Sequence, residues 1–196
     1  MKKTKAQAQT DEPQTQAPGA GQSGLPLFYR KPAVLQLERH GEASVSPTEE
    51  YAFARNTNAL PVNAIEFIEA AKYYPIVFTP GEVPHPAVVL GLEQANYFID
   101  AEGQWEQEYY IPAYVRQYPF ILFQRDDEDR LFLCIDEASP NFHTGKVEGA
   151  QPIYENGQAS GLAKQALEFC SGYYRHHAIT RSFMKDLNDH KLFMPY

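Results

Sequence analysis

The sequence predicts an α+β fold, a mainly antiparallel sheet with helices packed on it, and three observations support this prediction. A helix-like segment, a Tyr-Pro pair and two apolar runs follow one another over residues 62–92 and again, in the same order, over residues 109–135. The runs are joined by connections too short for a crossover helix, which indicates antiparallel neighbours. From about 159 to 192, apolar residues recur at steps of three and four, so the C-terminal region is predicted to be helical.

Length and composition indicate one domain with a tail. The chain has 196 residues, of which 43% are hydrophobic and 13% aromatic, and this is enough for one compact core. Residues 1–24 are mainly Gln, Thr, Ala, Pro and Gly, which cannot bury enough apolar surface to offset chain entropy. We therefore expect a disordered tail over 1–24 and a single domain over 25–196.

Charge and hydropathy exclude two classes of partner. The net charge is −8, and Lys2, Lys3 and Lys5 form the sole basic cluster, whereas binding to phosphate backbones requires clustered cations. We therefore expect no nucleic acid partner. No stretch approaches the ~18 apolar residues of a spanning helix, and no apolar segment follows the first lysines as in a signal peptide. This predicts a cytoplasmic protein without a transmembrane segment, unless a signal-less route leads to the envelope.

Two short runs before the first unit are compatible with strands. They are Val34–Glu38 and Tyr51–Ala54, the second with both rings on one side. In the polar segment that follows, Asn58 favours a local cap or an Asx turn. Arg55 is compatible with a ligand-facing cation, because a guanidinium beside aromatic residues suits carboxylates or phosphates.

The first unit is predicted to start with a helix from about Val62 to Tyr74, ended by Pro75. One apolar arc of this helix is predicted to face the core: Ala64, Phe67, Ile68, Ala71 and Tyr74. Glu66 falls on the outer face, where we expect a solvated carboxylate or, less favoured, a partner of Arg55. Val62, Ile65 and Tyr73 are interleaved on this face, which suggests a second contact surface.

The strands of both units follow their Tyr-Pro pairs. In the first unit, runs at 76–79, 87–92 and 97–100 suggest an antiparallel meander. In the second, a short helix with Pro112 in its first turn precedes strands 120–124 and 130–135, joined by the acidic turn 126–129. Because the same elements recur in the same order, the sequence suggests an internal duplication, with two units side by side in one sheet. Gly172 and the Asn188-Asp189 pair are expected to break the C-terminal helical region.

The sequence contains no pattern that indicates a metal, a cofactor or a catalytic site. Adjacent helical residues point about 100° apart, so His176 and His177 are poorly placed to clamp one ion. A Gly-rich phosphate loop, a nucleophile elbow and paired cysteines are also missing from the sequence. Cys134 and Cys170 lie in apolar surroundings and are expected to be reduced and buried.

A series of short segments carries a family resemblance. In chain order they are Phe28-Tyr29-Arg30-Lys31-Pro32, Glu38-Arg39-His40, Phe53-Ala54-Arg55-Asn56-Thr57-Asn58, Ala64-Ile65-Glu66-Phe67, Tyr74-Pro75-Ile76-Val77-Phe78, Leu90-Gly91-Leu92, Phe98-Ile99-Asp100-Ala101-Glu102-Gly103-Gln104-Trp105, Ile111-Pro112-Ala113-Tyr114-Val115-Arg116-Gln117-Tyr118-Pro119-Phe120 and Leu133-Cys134-Ile135-Asp136. This series resembles the bacterial SapC family over residues 28 to about 194. The family is named for a link to a paracrystalline surface layer, and the resemblance supplies no catalytic residues. Family members extend some tens of residues further, so we expect a truncated C-terminus.

Two functions from different classes remain open. The resemblance implies a non-enzymatic binding or assembly protein with a protein partner, in which helix 62–74 and the many tyrosines supply the contact surface. The alternative is an accessory protein or enzyme that modifies a peptide or small molecule, because similar proteins are often encoded near halogenase-like and cupin-like proteins. In that case Arg55, Glu66, Arg116 and Asp136 are expected to converge on one pocket. With Asn58, these four form the predicted binding set.

Overall fold

The computed structural model describes residues 24–48, 50–124 and 130–193. Residues 1–23 of the predicted tail and the acidic turn 126–129 lie outside the described residues. In chain order the strands are β1 (Pro32–Val34), β2 (Ser44–Val45), β3 (Ala59–Pro61), β4 (Ile76–Phe78), β5 (Pro86–Val89), β6 (Phe120–Gln124), β7 (Leu131–Asp136), β8 (Phe142–His143), β9 (Gln151–Pro152), β10 (Tyr154–Glu155) and β11 (Gln158–Ala159). The α-helices are α1 (Leu37–His40), α2 (Phe67–Ala70), α3 (Ala113–Arg116) and α4 (Gly161–Asp189). The α+β class with antiparallel pairing is confirmed.

The hairpin of β6 and β7 is the centre of the fold, and both strands lie where the sequence predicted them. Strand β1 pairs antiparallel with β7, which gives the order β1-β7-β6. Alternate residues of a strand point to opposite faces. On one face Leu122 and Ile135 pack into a cluster with Cys170 of α4, and on the other Ile121 packs with Tyr29. The hairpin is thus buried on both faces.

The second main sheet differs from the predicted meander. Strand β5 lies between β3 and β4, in the order β3-β5-β4. The run 97–100 was predicted as the third strand, and this is wrong: its one pairing is an isolated bridge between Ile99 and Trp105. The Asp100 carboxylate accepts a hydrogen bond from the Gln104 backbone at 2.8 Å and closes a tight turn instead. Residues 59–61 take the place beside β5.

The structure does not confirm an internal duplication. The two Tyr-Pro units contribute to separate sheets, so their placement in one sheet was wrong. Their registers also differ, because Ile76 pairs with Val88 whereas Phe120 pairs with Ile135. The hydroxyl of Tyr74 donates to the Tyr110 carbonyl, and that of Tyr118 donates to the Asp136 carboxylate. The two buried tyrosines therefore end their helical segments with different partners.

Three local predictions were wrong. The run 51–54 forms a 3-10 turn at Ala52–Ala54 instead of a strand. The strand predicted at 34–38 lies at Pro32–Val34, and α1 begins at Leu37. The helix predicted at 62–74 is a 3-10 turn, Ala64–Glu66, that continues into α2. Its predicted core face is also wrong, because Ile68 is 84% exposed.

Helix α4 is the longest element, with 29 residues. It starts at Ser160, whose hydroxyl accepts a hydrogen bond from the Ala163 backbone, a standard N-cap. Gly172 does not break it, in contrast to the prediction, whereas the helix ends at Asp189, within the predicted Asn188-Asp189 pair. The helix packs across β6 and the Ala64–Glu66 turn, and this contact positions the site described next. Within the described ranges, no helix is long and apolar enough to span a membrane.

Candidate functional site

Glu66 joins the starts of two helical segments. Its carboxylate accepts hydrogen bonds from the Asn63 backbone at 2.9 Å, from the Tyr110 hydroxyl at 2.8 Å and from the Ala113 backbone at 2.8 Å. Asn63 and Glu66 form a capping box, and Ala113 is the first residue of α3. The side chain is therefore buried, with 5% of the residue exposed. The predictions of a solvated Glu66 and of an Arg55 partner were wrong.

Arg116 meets Glu66 through Tyr110. The exposed guanidinium donates to the Tyr110 hydroxyl at 3.2 Å and to the Ile111 carbonyl at 3.0 Å. It also lies over the rings of Tyr110 and Phe169, at 5.6 and 5.4 Å from their centroids. Burial, followed by the Glu66 carboxylate, raises the pKa of Tyr110 to about 12, so the phenol stays protonated and bridges the two charged groups.

Arg55 and Asn58 lie away from this pair, and their hydrogen bonds are with backbone groups. The Arg55 guanidinium donates to the carbonyls of Asp100 and Ala101, at 2.7 and 3.0 Å, and thereby holds the turn after residue 99. Asn58 is exposed, and its carbonyl accepts a hydrogen bond from the Leu90 backbone at 2.7 Å. Their roles as ligand-binding residues stay predictions.

Asp136 is buried at the end of β7, with no exposed surface. Its carboxylate accepts from the backbone of Lys31 at 2.7 Å, Arg30 at 3.1 Å and Ala138 at 3.2 Å, and from the Tyr118 hydroxyl at 3.1 Å. These four donors occupy the lone-pair sites of the carboxylate. Arg55, Glu66, Arg116 and Asp136 therefore do not converge as the alternative function required, because Glu66 and Arg116 line one cavity and the other two do not.

That cavity is a surface groove of about 440 Å³ between residues 63–69, α3 and the middle of α4. We call it the Gly172 groove, after the α4 residue that lines it without a side chain. Ile65 stands at its edge with 65% of its surface exposed. Charges of both signs line it, namely Glu69, Arg116, Glu168 and Arg175. The arrangement offers a shallow apolar surface with alternating charges.

Sequence reasoning missed an ion cluster around Glu137. Its carboxylate meets Arg39 at 2.6 Å, Lys31 at 3.0 Å and the Nε2 of the buried His40 at 3.2 Å. Burial raises the pKa of Glu137, but the hydrogen bonds from Arg39, Lys31 and His40 outweigh it and hold that pKa at about 2. The nearest signal was the Glu38-Arg39-His40 run, but its partner is about a hundred residues away, so no local pattern revealed the cluster.

The two cysteine thiols are buried and poorly suited to act as nucleophiles. Cys134 and Cys170 are free and buried, and burial raises the pKa of each to about 12. A protonated thiol is a poor nucleophile. In the part of the chain that the structure describes, no group of three or more His, Cys, Asp or Glu side chains is placed to hold a metal ion.

Comparison with family models shows to which protein family the chain belongs. The family model described as SapC matches residues 35–196. The chain belongs to the SapC family. The SapC region contains every residue named above for the Gly172 groove, together with Asp136 and the Glu137 cluster except Lys31. No curated protein and no solved structure matches the chain, so the SapC assignment leaves the role of the groove to be argued from its geometry.

Proposed function

We propose that this SapC protein is a non-enzymatic binding or assembly component, and that it receives an amphipathic helix of a protein partner in the Gly172 groove. The link of the family name to a surface layer supports a partner in the cell envelope. A helix laid in a groove is a common recognition mode, in which apolar anchors at helical spacing provide affinity. The proposal is carried by one observation, the position of Gly172.

Gly172 has no structural reason to be glycine within this chain. Glycine in a helix interior costs about 1 kcal/mol relative to alanine. A Cβ atom at position 172 meets no atom of the described residues within 4 Å, so their packing accepts alanine. A glycine that lines a groove lets a second backbone approach closely. An approaching partner helix therefore explains a residue that intramolecular packing does not.

The edge of the groove supplies apolar anchors. Ile65, a lining residue, is 65% exposed, and Ile68, which is not a lining residue, follows it by one turn of the same helical segment and is 84% exposed. Burial of such a side chain contributes roughly 1.5–3 kcal/mol. From Glu168 to His176 the groove follows α4 for about two turns, roughly 12 Å. This length and the mixed charges of Glu69 and Arg175 fit an amphipathic helix with charged flanks.

The alternative, an accessory protein or enzyme that modifies a peptide or small molecule, has one supporting feature. The guanidinium of Arg116 is exposed in the Gly172 groove and suits a carboxylate. The Glu66 carboxylate, which lies nearest to it through Tyr110, already accepts three hydrogen bonds and is thereby used in the fold. The groove geometry therefore favours binding over chemistry.

Photo-crosslinking from the edge of the groove tests the proposed function. Ile65 is replaced by a photoreactive phenylalanine analogue in cells that make the protein natively, and Leu92, 70% exposed and not a lining residue of the groove, is the control position. We expect position 65 to give one discrete adduct, whose crosslinked segment, identified by mass spectrometry, is an amphipathic helix. A synthetic peptide of that segment is expected to compete with the crosslink.

Three outcomes contradict this proposal. One is an identical set of adducts from positions 65 and 92. Another is an adduct with a second copy of the chain, which makes the groove a self-association surface. The third is a small-molecule adduct at position 65, which favours the alternative function.

A further inference from the structure

A second groove, about 640 Å³ in volume, also lies along α4 and is larger than the Gly172 groove. We call it the histidine groove, after His85 and His177. It is bounded by the start of β5, the end of β6 and α4 residues 173–184. Tyr173 is the one residue that it shares with the Gly172 groove. The sequence patterns gave no reason to connect these elements.

Cationic and proton-binding groups gather in the histidine groove. The rings of His85 and His177 are stacked, with centroids 6.4 Å apart and planes 6° apart. Arg181 follows His177 by one turn of α4 and also lines the groove. Among the described residues that line it, none is Asp or Glu, although the whole chain has a net charge of −8. A guanidinium that lines a cleft attracts ligands of the opposite charge.

The walls beside these groups are apolar and aromatic. Phe123, which is half-buried, and Ala178, which is exposed, line the groove, whereas Leu122 and Met184 lie buried behind it. Tyr173 stacks on His177, with ring centroids 6.5 Å apart. Such a surface gains free energy when it covers an apolar ligand body. The groove therefore offers a cationic end and an apolar body in one cavity, a combination that a purely structural cleft does not require.

We propose that the histidine groove binds a small amphiphilic ligand, an oxyanion such as a carboxylate on an apolar body. The anion lies between Arg181 and the His85–His177 pair, and the body lies against Phe123, Tyr173 and Ala178. This site is independent of the Gly172 groove and of the partner proposed for it.

The protonation of His177 reports on the bound anion. Burial, followed by the charges of His85 and Arg181, lowers the pKa of His177. Burial raises the pKa of Tyr173, which lines the same groove, so this phenol stays neutral near neutral pH. A bound carboxylate stabilises the imidazolium, so it raises the pKa of His177. An uncharged ligand of the same shape only excludes water from the imidazole, so it does not raise that pKa.

A matched pair of probes tests the site, namely 3-phenylpropionate and its neutral amide, 3-phenylpropionamide. In NMR titrations of the full chain, we expect the carboxylate to shift the imidazole signals of His85 and His177 and to raise the pKa of His177 by about one unit. The amide is expected to bind about tenfold more weakly or not at all. Equal binding of both probes, or binding of neither, overturns the proposal.

Two charge-removing variants localise the anion. Arg181→Gln is expected to weaken 3-phenylpropionate binding about tenfold, whereas Arg175→Gln, an exposed arginine of the same helix in the other groove, leaves it unchanged. His85→Gln, in an exposed loop, is a second variant for the same end of the groove and is expected to weaken binding as well. Equal effects of Arg181→Gln and Arg175→Gln contradict the proposed site.

Discussion

Replacement of Asp136 with alanine is expected to lower the free energy of unfolding by about 4 kcal/mol. The carboxylate is fully buried and accepts four hydrogen bonds, three from backbone amides and one from Tyr118. Each hydrogen bond to a charged group contributes about 1.5–3 kcal/mol, and a buried donor without an acceptor adds its own desolvation cost. The loss also detaches the segment before β1 from the end of β7.

Urea unfolding of the wild type and two variants measures this effect. Asp136→Asn keeps one carbonyl acceptor, so its loss is expected to be intermediate. The matched control is Asp100→Ala, which removes one hydrogen bond, to the Gln104 backbone in an exposed turn, and is expected to cost less than about 1 kcal/mol. Similar losses for Asp136→Ala and Asp100→Ala contradict a structural role for the buried carboxylate.

Replacement of Glu66 with alanine is expected to cost about 3 kcal/mol. Three donors lose their acceptor, and two of them are the backbone amides that begin the helical segment at 64 and helix α3. The loss of the capping box alone costs roughly 1 kcal/mol. Glu66 also accepts the hydrogen bond of the Tyr110 hydroxyl, to which Arg116 donates. The variant therefore no longer fixes the phenol that positions the Arg116 guanidinium.

Glu69→Ala is the control for Glu66→Ala, because Glu69 lies on the next turn of the same segment but pairs with Lys72 at the surface. Exposed ion pairs of this kind contribute only about 0.3–0.5 kcal/mol. Chemical denaturation of both variants therefore separates a buried cap from a surface charge. If Glu66→Ala lowers the free energy of unfolding by no more than Glu69→Ala does, the structural role assigned to the Glu66 carboxylate is contradicted.

The β6–β7 hairpin was predictable from local sequence, because its two apolar runs are bounded by turn residues and no competing pattern exists there. Residues on both faces of these strands are buried, so the runs are apolar almost throughout. The additional pairing with β1 was not predictable, because it depends on Asp136, which holds the Arg30 and Lys31 backbone about a hundred residues away.

The predicted face of the helix at 62–74 failed for a local reason. A helical wheel assumes one regular helix whose burial follows hydrophobicity. Here the capping box turns Glu66 inward, where the Tyr110 hydroxyl and the Ala113 backbone donate to it. Ile68, which was predicted in the core, lies at the surface instead. Of the apolar residues that were interleaved on the outer face, Val62 is buried and Ile65 is exposed, and a contact surface there stays a prediction.

The candidate sites are products of tertiary structure. Glu66 and Arg116 were both named from sequence, yet their meeting through Tyr110 required the placement of α3 against the 63–69 segment. Arg55 looked equally suitable but is used by the backbone carbonyls of Asp100 and Ala101. Gly172 was interpreted as a helix break, whereas packing of Cys170 and Met184 on either side keeps α4 continuous.

Gly172→Ala tests the central claim most directly, because stability and binding are expected to change in opposite directions. The free energy of unfolding is expected to stay equal or rise by up to about 1 kcal/mol, since the new Cβ meets open space and alanine favours the helix. The affinity for the partner segment crosslinked from position 65 is expected to fall about tenfold, or about 1.4 kcal/mol, because the methyl group blocks the close approach. An unchanged affinity for that segment would contradict the assignment of the Gly172 groove as the binding site.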